Sequence, residues 1–173
     1  SHPMEEVMKK IAILLASASL LATGAVSAEE PPVALTVQRL HVDLAVKAAQ
    51  ATIAHCRKKG LNVAVTIVDR GGHVQASIRD TMAMPITVPI SKQKAYAAMN
   101  FNLPTSDLEG RFTSPFSPGK LEGLIMSAGG LPISAASSIM GGIGVSGAPS
   151  GETDQECAQA GLDAINADLE MGM

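Results

Sequence analysis

From Val63 to Val68 the chain reads Val-Ala-Val-Thr-Ile-Val. Both alternating faces of that run are apolar or nearly so, which predicts a strand over Asn62–Val68 buried on two sides at the centre of a sheet. Arg70 to Gly72 interrupts the run, and an extended pattern resumes over His73–Arg79. Two short blocks joined by a glycine-bearing turn predict a hairpin. A helical period precedes them. Val37, Leu40, Leu44, Ala48 and Ala51 form one stripe, with Arg39, Asp43, Lys47, Gln50, Arg57 and Lys58 opposite. This predicts a helix from Val37 to about Lys59, capped by Thr36 and stopped at Gly60. Val42, Val46 and Ile53 widen the apolar arc beyond what one neighbour covers, which points to a second subunit.

Downstream, Thr81–Val88 reads as a loop, and Pro89 fits the first turn of a helix running to about Asn100. Pro104 precedes a helical turn over Ser106–Glu109, and Phe112–Gly119, rich in Pro and Gly, is a surface loop. Gly130–Ile133 is a short strand that Pro132 places at an edge or a start. After a turn at Ala135–Ser137, Ile139–Ser146 is a strand. Its Gly141, Gly142 and Gly144 leave room for something to approach the backbone closely. Gly147–Gly151 is a loop, and Ser150 or Thr153 caps a last helix to about Leu169. The order helix, hairpin, helix, strands, helix predicts an α+β fold with a mainly antiparallel sheet.

The front of the chain reads differently. Met8-Lys9-Lys10, the apolar Ile11–Leu21 and the small-residue Val26-Ser27-Ala28 have the form of an export signal cleaved after Ala28. The apolar stretch is short of the roughly 20 residues a membrane span needs, so an uncleaved anchor and stable membrane insertion are disfavoured. Ser1-His2-Pro3 has no initiator methionine and reads as added residue. The expectation is residues 1–28 as leader and 29–173 as one domain, located in the periplasm or secreted. In an oxidising compartment Cys56 and Cys157 allow one intramolecular pairing. If the first and last helices pack antiparallel the sulfurs can meet; two buried free thiols are the other arrangement. His41 and His55 share a helix stripe but lie about 21 Å apart along the axis, too far for one metal.

Composition narrows the function classes. The chain has 173 residues, 46% of them hydrophobic, enough for one cored domain. A net charge of −3 without a basic stripe excludes nucleic acid as a natural partner. With no Trp, one Tyr and three Phe, stacking platforms for single strands are missing too. There is no P-loop, no dinucleotide fingerprint and no close His/Cys cluster of zinc-site spacing. Ser91–Lys94 has a Ser-x-x-Lys form but lacks the companion motifs of penicillin-recognising enzymes. Gly141, Gly142 and Gly144 fall within a strand and do not form a phosphate cradle.

Taken in series, VAVTIVDRGGHVQASIRD, SKQKAYAA with the later PTS, GGLPI, and GGIGVSGAPSGETDQECAQAGLDAI resemble the GlcG/HbpS family. That family includes haem-binding and haem-degrading proteins and the C-terminal domain of PduO-type proteins. The resemblance covers about Leu35 to Ile165. It implies a profilin-like three-layer α/β/α domain with a five-stranded, mainly antiparallel sheet, assembled as a homo-oligomer. For some members it implies haem, while others have no settled ligand; GlcG-type members travel with acid-utilisation pathways, which makes a binding or accessory module for a small carboxylic acid the second reading. A haem site needs an apolar slot, an axial ligand and cations for the propionates. Within the matching stretch His73 is the candidate metal ligand. Arg70, Arg79 and Lys94 are candidates to meet carboxylates. Met82 and Met84 are candidates for an adaptable apolar wall, and Gly71 and Gly72 for a turn at the rim. Each has a plain structural alternative: an Asp69–Arg70 pair across the turn, glycines supplying positive φ, a polar strand start at His73, a solvated Lys94. An oligomer without any ligand is the third reading, and the residues leave open whether the protein is an enzyme.

Overall fold

The computed structural model describes residues 30–172, together with Met4. The chain divides into residues 1–35 and 36–173, and the fold is that of the second unit. The leader and its cleavage after Ala28 lie outside the described residues. In chain order the elements are α1 (Val42–Lys58), β1 (Ala64–Asp69), β2 (Val74–Arg79), α2 (Thr87–Phe101), β3 (Gly130–Ala135), β4 (Ser138–Ser146), α3 (Gly151–Asp163) and α4 (Asn166–Met171). Single helical turns at Thr105–Leu108 and Pro118–Lys120 interrupt the long link between α2 and β3.

The strands form one antiparallel sheet in the order β2-β1-β4-β3. β1 is central and buried at every position, as its two apolar faces require. Val63, Val65 and Ile67 join Ile143 and Val145 in a core closed by Ala45, Ala48, Ala49 and Ile53 of α1 and by Cys157 and Ala158 of α3. On the other face Val68 packs against Ala95 and Met99 of α2, and Thr66 hydrogen-bonds Ser91 at 2.8 Å. Helices therefore cover both faces of the sheet. The α+β class and the antiparallel sheet match the sequence expectation, but among the described residues the sheet has four strands rather than five. Residues before α1 approach the open edge of β2, yet the recorded link is a side-chain bond, Gln75 Nε2 donating to the Leu40 carbonyl at 2.7 Å. No backbone ladder forms there among the described residues.

The first helix starts at Val42, not Val37. His41 takes the cap position with extended backbone, its Nδ1 accepting from the Asp43 amide. Leu40, 2% exposed, is drawn into the core ahead of the helix. Of the wide apolar arc, Val37, Val42 and Val46 remain 60%, 46% and 38% exposed. The last helix also differs: it breaks after Asp163, where Ile165 turns fully inward, and resumes as α4.

Two close approaches fix the helices. On β4, a Cβ at Gly142 or Gly144 would collide with the carbonyl oxygens of Ala95 and Ser91. What comes near that backbone is α2 itself. On the opposite layer Gly161 of α3 admits Thr52 and the Ala48 carbonyl of α1. α1 and α3 run antiparallel and are joined by the Cys56–Cys157 disulfide, with Cα atoms 5.7 Å apart and both residues fully buried. Lys47–Asp168 at 2.7 Å, together with Glu156 between His55 and Lys59, extends the seam outward.

Candidate functional site

The β1–β2 turn is built around one carboxylate. Asp69 ends β1 with its side chain 8% exposed. Its Oδ1 accepts from the amides of Gly71 at 2.8 Å and His73 at 3.0 Å. The Gly72 amide donates to the Asp69 carbonyl, and the Asp69 amide to the His73 carbonyl. Burial opposes ionisation of Asp69. The two amide donors and the charges of Arg39 and His73 outweigh it and hold the carboxyl below its ordinary range. Gly72 has φ 82°, and a Cβ there would strike the ring of Tyr96. Glycine thus lets the turn close onto α2. A bulge between Ile67 and Val68 leaves Gln75 as the extra residue on β2 and re-aims the chain just beyond the turn.

Where the turn meets α2 there is a cleft of about 360 Å³, lined by Gly72, Pro89, Lys92, Gln93, Tyr96 and Gly123. That is within the range of small-molecule sites. Positions 89, 92, 93 and 96 are the outward stripe of α2 at helical spacing. The His73 side chain is 78% exposed, next in the chain to Gly72. A second cleft of about 390 Å³, between the β3–β4 turn and α4, offers Asn166 and Glu170 but neither imidazole nor cation.

Of the residues singled out from sequence, Gly72 lines the cleft, with Gly71 and His73 beside it in the chain. Arg70 lies over α2, its Nη1 donating to Met99 Sδ at 3.7 Å. Arg79 is elsewhere: its Nη1 donates to the carbonyls of Asp80, Thr81 and Ala83 and so ties the loop after β2. Met82 and Met84 sit on that loop, 78% and 63% exposed, and do not line the cleft. Lys94 is on the inward side of α2, 4% exposed, its Nζ 3.0 Å from Asp154 Oδ2. The neighbouring Lys92 is the lysine at the cleft. Sequence reasoning passed over Lys92, Gln93 and Tyr96. The small Ser91, Ala95 and Ala98 mark the packed face of α2; Lys94 shares that face, whereas Lys92 and Tyr96 lie off it.

Asp80 shows how firmly the loop after β2 is held. Arg57 grips it with Nε and Nη2 at 2.8 and 2.9 Å, and the Thr81 amide donates to it. The Arg57 hydrogen bond, against opposing burial, lowers the Asp80 carboxyl below its ordinary range. A carboxyl depressed in the folded state contributes stability above its unfolded pKa, and that contribution is lost as pH falls through the folded value. We expect stability to drop below about pH 4 as Asp69 and Asp80 take up protons. Urea unfolding followed against pH should show a shallower acid slope in Asp80→Asn than in the parent. Equal slopes would remove Asp80 from the account.

Among the described residues no three His, Cys, Asp or Glu side chains converge to hold a bare metal ion, and no helix is long and apolar enough to cross a membrane. No curated protein matches the chain. Solved structures do. HbpS of Streptomyces reticuli, as a Glu-to-Asp double mutant, is 34% identical, with 79% of this chain and 98% of that one covered at a TM-score of 0.73. ORFY of Klebsiella pneumoniae is 26% identical, covering 80% and 99% at 0.76. PduOC, solved as a haem complex, is 23% identical, covering 74% and 96% at 0.67, and shares the fold. The family model for the haem degrading protein HbpS-like matches residues 40–163, a span that holds the turn, α2 and the cleft between them, and the chain belongs to that HbpS-like family.

Proposed function

We propose that the protein binds haem at the cleft between the β1–β2 turn and α2, as an exported homo-oligomer. The observation that carries this reading is a cleft of about 360 Å³ bounded by an aromatic ring, Tyr96, and a lysine, Lys92, within the span the HbpS-like family model matches; His73, the candidate iron ligand, is exposed and follows the rim glycine Gly72 in the chain. A lone imidazole suits an iron whose other ligands come with the porphyrin. Tyr96 and Pro89 offer flat apolar contact to the ring, and Lys92 and Arg70 are the cations within reach of this face for propionates. Bound there, haem would bring a redox-active iron to the surface of the sheet, and haem degradation is the chemistry the family description names. The buried Lys94–Asp154 pair takes away one of the two cations that a small-acid site would have used. The exposed valines before and along α1 support a partner subunit, and the leader pattern with the disulfide supports export.

Hemin titration of residues 29–173, followed by absorbance, tests the reading. The expected result is a saturable, shifted Soret band near one haem per chain, weakened at least tenfold in affinity by His73→Ala. Adding a reductant in air and following decay of that band reads breakdown. A spectrum matching free hemin in buffer would sink the haem assignment.

A further inference from the structure

We infer that residues 111–122, in the link between α2 and β3, form a lid that closes over a flat macrocycle seated in the cleft; this deepens the haem reading above and rests on it. The segment is built to move as one piece. Gly110 and Gly123 bracket it with φ 72° and 88°, and a Cβ at either would meet nothing within 4 Å. Both joints are left-handed glycines standing in open space. Between Leu108 and Ala128 no residue is buried. Among the described residues, every hydrogen bond of residues 112–127 stays within the link. Ser117 donates through its amide to the Ser114 carbonyl and through Oγ to the carbonyls of Phe112 and Ser114. The amides of Lys120 and Leu121 donate to the carbonyls of Ser117 and Pro118. A segment tied to itself and not to the core opens at little cost in free energy.

Its course along α2 aims it at the cleft. Phe112 packs on Phe101 at the C-terminal end of α2, with ring centroids 5.2 Å apart. The link then returns to Gly123, which lines the cleft together with Tyr96. Tyr96 lies five residues before Phe101, about 7.5 Å along the helix axis. The stretch between these two contacts carries apolar surface with nothing to cover it. Phe116 is 99% exposed, and Leu121, two residues before Gly123, is 64% exposed. Of the three Phe in the chain, two pair with each other and Phe116 is left over. The cleft has the complementary lack: its one aromatic wall is Tyr96, with Pro89 beside it. A porphyrin seated on that wall leaves its other face to water. Rotation about the two glycines brings Phe116 and Leu121 onto that face, where an aromatic side chain buries most against a flat ring.

Limited proteolysis reads closure directly. Trypsin should cut the protein after Arg111 and Lys120, both exposed. Hemin, and equally iron-free protoporphyrin, should slow both cuts by roughly tenfold, as the open population falls. The iron-free ring is the second probe because the lid meets the macrocycle and not the metal. Phe116→Ser alters a side chain that packs on nothing in the fold. It should quicken dissociation of both porphyrins several-fold while uptake stays near one per chain. Saturable uptake with both tryptic cuts unslowed would reject the lid and keep the haem reading. Dissociation indifferent to Phe116→Ser would do the same. A Phe116→Ser protein that falls to smaller assemblies by light scattering, with porphyrin dissociation unchanged, would make Phe116 a contact between copies and overturn the lid. Uptake of neither porphyrin would sink the haem reading and the lid together.

Discussion

Replacing both Cys56 and Cys157 with alanine lowers the unfolding free energy by about 4–5 kcal/mol, the largest loss expected from any pair of small changes in this fold. The bond closes a loop spanning a sequence separation of 101. In the chain-entropy description, a loop of about that length restricts the unfolded chain by about 4.7 kcal/mol. Little native strain offsets that, because α1 and α3 already meet through Gly161 and Thr52 without the sulfurs. Urea unfolding of the oxidised protein and the double variant measures the difference. Thiol counting should find no reactive thiol in the denatured oxidised chain and two after reduction. A difference below about 1 kcal/mol would mean that the α1–α3 seam persists in the unfolded ensemble, so that the cross-link removes little freedom.

The second large effect lies at Lys94. Lys94→Met leaves Asp154 with its side chain 6% exposed and no cation, and breaking a buried pair from one side costs about 3–5 kcal/mol. Burial already raises the Asp154 carboxyl above its ordinary range, against the Ala148 amide and Lys94, which lower it. The deficit should be greatest near neutral pH and narrow in acid, where Asp154 takes a proton. Lys94→Met combined with Asp154→Asn should recover most of the loss, since the amide oxygen still accepts from Ala148. A single variant as stable as the parent, or a double variant no better than the single, would show that Asp154 is not charged in the fold. Hemin uptake by the refolded double variant should be unchanged, because Lys94 faces away from the cleft.

Much of this was legible in the residues. The double-sided strand over Val63–Val68, the hairpin and the edge strand bearing Pro132 all follow from periodicity and from glycine and proline placement. The disulfide was open between two arrangements because pairing depends on helix packing that periodicity does not encode. The start of α1 was misplaced because Leu40 and Val37 fit a helical stripe. The choice is made instead by long-range burial of Leu40 and by the Gln75 bond to its carbonyl. At the site, the glycine turn and His73 stood out, yet the cleft's far wall did not. Choosing Lys92 over Lys94 requires knowing that the glycines of β4 draw the Ser91–Ala95 backbone inward. That is a fact about two elements about 50 residues apart, which neither segment carries alone.

The glycine row on β4 has a consequence for how this protein can change. Because α2 rests on the sheet through backbone carbonyls, its inner face has almost no freedom to vary. Its outer face, at positions 89, 92, 93 and 96, carries no share of that contact. The two faces are separable for evolution and for the engineer: libraries at those four positions can re-cut the cleft for a different flat or anionic molecule while the domain stays folded. Divergence within such a lineage would then gather on one stripe of one helix, with the glycines beneath it left alone.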